Sequence, residues 1–108
     1  MNITSNNASN NALNLYYKNQ VNITGYSTIK CLLDLNVYVS SYGIALSMNN
    51  TVLTNLSAWN PYTYSKVLNV SNTNYILELD ISNITDGNYY IGFNLNRSNA
   101  QIKAIWLE

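Results

Sequence analysis

The chain has 108 residues, with five basic and five acidic side chains, no histidine and one cysteine. That length is one domain with room for a core, and its neutrality supplies no field to draw nucleic acid or an anionic membrane surface. The lone Cys31 excludes an internal disulfide framework and a thiolate zinc site, and no stretch approaches the roughly 20 apolar residues that cross a bilayer.

In chain order, residues 1–11 are polar and of low complexity. They read as a flexible lead, with neither the basic start nor the apolar run of a secretory signal. The domain is predicted over 12–108. Weak strand patterns cover 12–17 and 20–24. The segment STIKCLLDLNVYV then alternates strictly: Ile29, Cys31, Leu33, Leu35, Val37 and Val39 form one apolar face, and only Leu32 breaks the other. Period two of this kind marks a strand with one buried side. It recurs in Tyr42, Ile44, Leu46 and Met48; in Tyr75, Leu77, Leu79 and Ile81; and in Tyr89, Ile91, Phe93 and Leu95. Weaker runs span 51–56, 64–70 and 100–107, and no helical period is sustained anywhere.

Turn signals separate these runs at short intervals: Thr24-Gly25, Ser40-Ser41, Asn49-Asn50, Asn60-Pro61, Asn72-Thr73-Asn74, Asp86-Gly87 and Arg97-Ser98. Short strands with small connections predict an all-β fold, a jelly-roll-like antiparallel sandwich of about eight strands in two sheets. In the closing QIKAIWLE, Ile102, Ala104 and Trp106 fall on one face and Ile105 and Leu107 on the other. The pattern predicts a final strand covered on both sides, central in its sheet or buried by another subunit. Such a strand would lock the C-terminus into the fold, and loss of a buried Trp106 ring would cost about 3–5 kcal/mol.

The chemical inventory is short. Glycoside hydrolysis needs two facing carboxylates, but Asp34, Glu78 and Asp80 sit on outward strand positions, where pairing with Lys30 or Lys66 accounts for them. Without histidine a Ser or Cys triad lacks its usual base, and Cys31 points inward as a small hydrophobe. Four scattered glycines build no phosphate loop. The chain is therefore read as non-catalytic, with no cofactor and no metal. Twenty-one asparagines generate eight Asn-x-Ser/Thr triplets, which a eukaryotic or archaeal surface glycoprotein would use as glycan acceptors and which so Asn-rich a composition also produces by chance.

What remains is recognition. In SAWNPYTYSK, the aromatic rings of Trp59, Tyr62 and Tyr64 can stack on a sugar's apolar face while the Asn60 amide bonds its hydroxyls. Arg97, the only arginine, could fork onto a carboxylated sugar. These five residues form the predicted carbohydrate site. A plain structural role competes for three of them, since a loop Trp such as Trp59 can fold back to plug the end of a sandwich, Tyr64 alternates with Leu68 and Val70 toward the core, and Arg97 stands in a turn. Tyr38 and Tyr90, outward on their strands, suit a subunit contact.

The segments YSTIKCLLDLNVY, YGIALS, YILELDIS and DGNYYIGFNLNRSNAQIKAIWLE resemble the small β-sandwich domains of tail-fibre, baseplate and head-fibre proteins from phages and prophages of low-GC Gram-positive bacteria. Those domains open on Tyr-x-x-Ile-Lys, matched by Tyr26–Lys30. They carry a Gly-x-Tyr-Tyr-Ile-Gly strand, matched by Gly87–Gly92. They close on an Ile-Lys and Ile-Trp-Leu-Glu strand, present here in compressed form from Ile102 to Glu108. The likeness departs where NITGYS replaces a Gly-Gly-Trp element, and no binding residue carries over from it. It implies a virion-surface module binding host-surface glycans, joined to a longer fibre or packed as a homo-oligomer such as a trimer. A purely structural decoration or trimerising module, and an immunoglobulin-like adhesin at the cell surface or outside the cell, are the alternatives.

Overall fold

A computed structural model describes residues 2–4, 13–51 and 64–108. Nine strands are present among them: β1 (Asn2–Thr4), β2 (Leu13–Tyr16), β3 (Val21–Asn22), β4 (Thr28–Val37), β5 (Ile44–Asn49), β6 (Tyr64–Leu68), β7 (Asn72–Asp80), β8 (Asn88–Leu95) and β9 (Ser98–Leu107). They form two antiparallel sheets, one in the order β1-β9-β4-β7 and the other β2-β8-β5-β6, with β3 also paired to β8. With β2 and β3 taken as one interrupted strand, the chain changes sheet at every connection except that from β5 to β6. This is the strand order of a jelly roll, as the alternating sequence predicts.

The core lies between the sheets, where the predicted faces meet. Ile29, Cys31 and Leu33 of β4, Ile44 and Leu46 of β5, and Leu95 of β8 are fully enclosed, with Leu77, Leu79 and Phe93 packed beside them. Each such side chain contributes about 1.5–3 kcal/mol by leaving water. Val39, placed by its phase at the end of the first long strand, lies just past β4 and is only half-buried.

Two predicted features differ. Residues 2–4, assigned to a flexible lead, form β1, held by backbone pairing of Asn2, Ile3 and Thr4 with Gln101, Ala100 and Asn99. Three residues are too few to carry a periodicity, so this strand left no trace in the pattern. The second difference is β9. Cys31 faces Ile105 and Leu32 faces Ala104, but Leu33 faces Ile102, so Lys103 is an extra residue in a β-bulge. A bulge reverses which side chains point inward. Ala100 and Ile102 face the core on one side of it, and Ile105 and Leu107 on the other, while Trp106 stands opposite Lys30 on the outer face. The two apolar faces read from QIKAIWLE are thus one core face with a change of phase, and the Trp106 ring is only partly covered.

A second irregularity lies across β4, where Leu33 pairs with Tyr75 and Leu35 with Asn72. Asp34 stands between the two bulges. Its Oδ1 accepts the Asn74 backbone N–H at 2.7 Å and lies 3.1 Å from Lys103 Nζ, while Asn74, with φ 51°, presents its own Oδ1 to the same ammonium at 2.5 Å. The partner of Asp34 is Lys103, neither Lys30 nor Lys66. Lys30 instead pairs with Glu108 at 3.0 Å, and Glu108 exchanges backbone hydrogen bonds with Thr28. The last strand is pinned at both ends of β4, the locking role its sequence suggested.

Candidate recognition surface

Of the predicted site residues, Trp59, Asn60 and Tyr62 lie outside the described residues. Tyr64 begins β6 opposite Met48. It sits at the rim of the inter-sheet space, with its ring edge-on to Tyr89 at 6.5 Å, and remains 38% exposed. Tyr89 is itself buried and donates its hydroxyl to Thr85 O at 2.7 Å. Arg97 occupies the left-handed residue of the β8–β9 turn, φ 46°, with its guanidinium 4.6 Å above the Tyr42 ring. Tyr64 pairs at the Met48 end of β5, while Arg97 lies beyond Leu95, which pairs with Ile44 at the other end. Four strand residues separate the two levels, about 13 Å, so one small ligand does not reach both.

At the Tyr64 end of the sheet, the register assembles a different group on the opposite face. Tyr16 pairs with Gly92, and Asn49 with Tyr90. Positions 90 and 92 alternate with core-facing Tyr89, Ile91 and Phe93, which puts Tyr16 and Tyr90 together on the outer face of the five-stranded sheet. Their rings meet edge to face at 6.2 Å. Gly92 makes this possible: a Cβ there would lie 2.3 Å from Leu15 O and 2.8 Å from Tyr16 Cβ. Amides gather at the same end. Gln20 Nε2 donates to Asn50 O at 3.4 Å, Asn49 Oδ1 accepts the Asn50 N–H and Asn22 Oδ1 the Thr24 N–H, each at 2.9 Å, and Asn88 pairs with Asn22. Thr51 and Tyr64, the described residues nearest to the predicted Trp59 loop in sequence, adjoin this end.

Beneath the tyrosines runs a polar rung. Ser47 Oγ donates to Asn94 Oδ1 at 2.5 Å, and Asn94 Nδ2 donates to Asn14 Oδ1, linking β5, β8 and β2. Asn94 is enclosed, and an enclosed amide satisfied on both sides fixes its strands in one register. The rung holds β2, and hence Tyr16, in place.

No family model, curated protein or solved structure matches this chain.

Several concavities mark the described surface. A 130 Å³ notch lies among Leu15, Tyr16, Tyr17 and Phe93, and a 270 Å³ apolar slot opens between the sheets beside Tyr17 and Trp106. A shallow polar depression of 510 Å³ runs over β7, lined in part by Lys66, Glu78 and Asp80. Glu78 and Asp80 share a strand face, their Cα atoms about 6.8 Å apart by strand geometry, and a pair of carboxylates is what glycoside hydrolysis would require. The acid of such a pair needs a raised pKa. Both carboxylates are exposed, and the Asp80 carboxyl is held below its usual range by hydrogen bonds from the Ser82 hydroxyl and backbone N–H, at 2.6 and 2.9 Å. Asp34 and Glu108 are lowered too, Asp34 first by the Asn74 backbone N–H and then Lys103, Glu108 first by Lys30. Each of these three carboxylates is tied to a structural partner.

The tyrosine pair was not foreseen as a unit. Tyr16 and Tyr90 lie 74 residues apart in sequence, and only the register of β2 on β8 brings them together. Gly92, a small residue interrupting a well-patterned strand, was the one local sign of a close approach.

Proposed function

We propose that this protein is a non-catalytic recognition module whose outer tyrosine and amide surface binds carbohydrate at a host cell surface. The observation that carries the reading is the Tyr16–Tyr90 pair on the five-stranded sheet, ringed by Gln20, Asn22, Asn49, Asn50 and Asn88. Aromatic faces take the apolar side of a sugar ring, amides supply both donors and acceptors to its hydroxyls, and neither requires net charge. A neutral chain with ten tyrosines and 21 asparagines suits that chemistry. Jelly rolls serve as capsid and lectin domains, and the resemblance to fibre and baseplate modules points the same way, toward a virion or fibre surface. The fold by itself does not fix the activity.

A glycan array probed with the wild-type chain and with a Tyr16→Ala, Tyr90→Ala variant tests the reading. The wild type is expected to retain a defined set of sugars. The variant should bind them at least about tenfold more weakly, the change produced by roughly 1.4 kcal/mol. A parallel Trp59→Ala, Tyr62→Ala variant asks whether the predicted loop shares the ligand. Binding that is unaltered in the Tyr16 and Tyr90 variant removes this surface from consideration.

A further inference from the structure

The flank on which β9 faces β2 and β3 is unfinished. β1 covers β9 only over Asn99–Gln101, and the bulge follows at Lys103. Among the described residues, Ala104–Leu107 has β4 on one side and no strand on the other. Natural sheet edges are guarded by charge, proline or a bulge. Lys103 supplies the first and the last of these at the start of this stretch, but Ala104, Ile105, Trp106 and Leu107 contain none of them. Directly behind the bare edge opens the 270 Å³ slot, lined by Tyr17, Val21, Ile91, Ile105, Trp106 and Leu107, with Tyr17 on its rim 40% exposed. An open edge and an open apolar slot thus meet along one line.

We propose that this flank is where a second copy of the chain docks, β9 against β9 in antiparallel pairing about a two-fold axis at Trp106. β1 shows the form of occupant that this edge accepts, an antiparallel strand, and the second copy continues the same edge where β1 leaves off. Symmetry then restricts the register. Residues directly opposite in an antiparallel pair point to the same side, and of the registers that keep inward residues together, the one centred on Trp106 pairs the whole of Ala104–Glu108 and stays clear of the Lys103 bulge; it sets Ile105 against the partner's Leu107 and Trp106 against the partner's Trp106 on the outer face. A foreign strand would add only a few backbone bonds to so short an edge. A second copy also brings its own Tyr17, Val21 and Leu107, so that two apolar slots close mouth to mouth in an isologous contact. With zero net charge, no long-range repulsion opposes it. The contact uses a different flank from the tyrosine and amide surface and does not depend on the carbohydrate reading.

Sedimentation equilibrium of the 108-residue chain over roughly a hundredfold range of micromolar concentration should show the mass rising from 12.2 kDa toward twice that value. Trp106→Arg should hold the mass at that of the monomer while keeping the strand circular-dichroism signal. In the proposed register two Trp106 Cα atoms lie about 4.5–5.5 Å apart, within the roughly 4.4–6.8 Å that a disulfide spans. Under mild oxidation Trp106→Cys should therefore cross-link into dimers several times faster than Asn36→Cys, which is exposed on the same sheet away from the axis. A wild-type mass that stays at 12.2 kDa throughout overturns the proposal and leaves the edge to a different chain. Cross-linking of Trp106→Cys no faster than that of Asn36→Cys overturns it as well. The wild-type mass decides the matter even if a variant fails to fold.

Discussion

Deleting Lys103 separates a bulge from an ordinary two-faced strand. With that residue gone, β9 can keep Ile105 and Leu107 against Cys31 and Ile29 only by turning its first half over. Ile102 and Ala100, now buried at 6% and 1% exposure, would face water, and Gln101 and Asn99, now exposed, would face the core. Losing the Ile102 burial costs about 1.5–3 kcal/mol, and each amide enclosed without a partner adds about 1–3 kcal/mol. Together these come to roughly 4–9 kcal/mol, against the 5–15 kcal/mol that a domain of this size possesses. Keeping the first half instead turns Ile105 and Leu107 outward, at similar cost. Lys103→Ala retains the extra residue and loses only an exposed ion pair and hydrogen bond, so it should shift stability little. Urea unfolding of the two variants, followed by circular dichroism and tryptophan fluorescence, measures the difference. A deletion variant within about 1 kcal/mol of Lys103→Ala would refute the phase reversal.

Other expectations follow from the same geometry. Gly92→Ala should destabilise by about 1–3 kcal/mol, because its Cβ meets β2 backbone rather than a yielding side-chain tip, and it should weaken sugar binding by displacing Tyr16; denaturant midpoints and the glycan array check the two effects separately. Leu33→Ala, at a fully enclosed position on β4, should cost about 2–5 kcal/mol by chemical unfolding. Asp34, Asp80 and Glu108 all have folded pKa values below their unfolded ones, so their support is complete above about pH 4.5 and fades as pH falls through the folded values. Melting temperature should drop over that acid range, less steeply in Asp34→Asn, and equal slopes for the two proteins would count against the Asp34 staple. Burial pushes the Cys31 thiol up to about 12. Above pH 9 the unfolded chain therefore sheds a proton that the folded chain keeps, and stability declines; native Cys31 should resist alkylation that it undergoes readily in denaturant.

The sequence made the scaffold legible wherever one face of a strand was consistently apolar. β4, β7 and β8 have the inward residues their alternation assigns, but the turn read at Asn72-Thr73-Asn74 is the start of β7, where Asn72 pairs with Leu35 across a bulge. The pattern failed where a backbone irregularity intervened. Ile102 and Ile105 look like opposite faces unless an extra residue stands between them, and no residue type marks Lys103 as that residue. β1 was invisible because three residues carry no periodicity. Val70 was placed in phase with Tyr64 and Leu68 toward the core, yet β6 ends at Leu68 and Val70 is 64% exposed. Asn94 was assigned to an outward face and is instead enclosed, because its partners Asn14 and Ser47 come from strands that only tertiary register brings alongside.

For the candidate site the sequence supplied the ingredients without their arrangement. Tyrosine and asparagine abundance pointed to neutral recognition chemistry, while the position of Tyr64 beside the tyrosine end and of Arg97 at the opposite end of β5 depended on topology. The jelly-roll order sends β2 and β8 to adjacent positions in one sheet. That adjacency makes a surface from Tyr16 and Tyr90, which neither strand could form alone.

The central claim, that this outer surface is where ligand binds, is tested most directly by nitrogen–proton correlation spectra of the labelled chain titrated with a sugar retained on the array. Shifts confined to Tyr16, Gln20, Asn49, Asn50, Tyr90 and Gly92, saturating with a single affinity, are the predicted result. Shifts that spare these amides and appear instead along β7, around Lys66, Glu78 and Asp80, would contradict it.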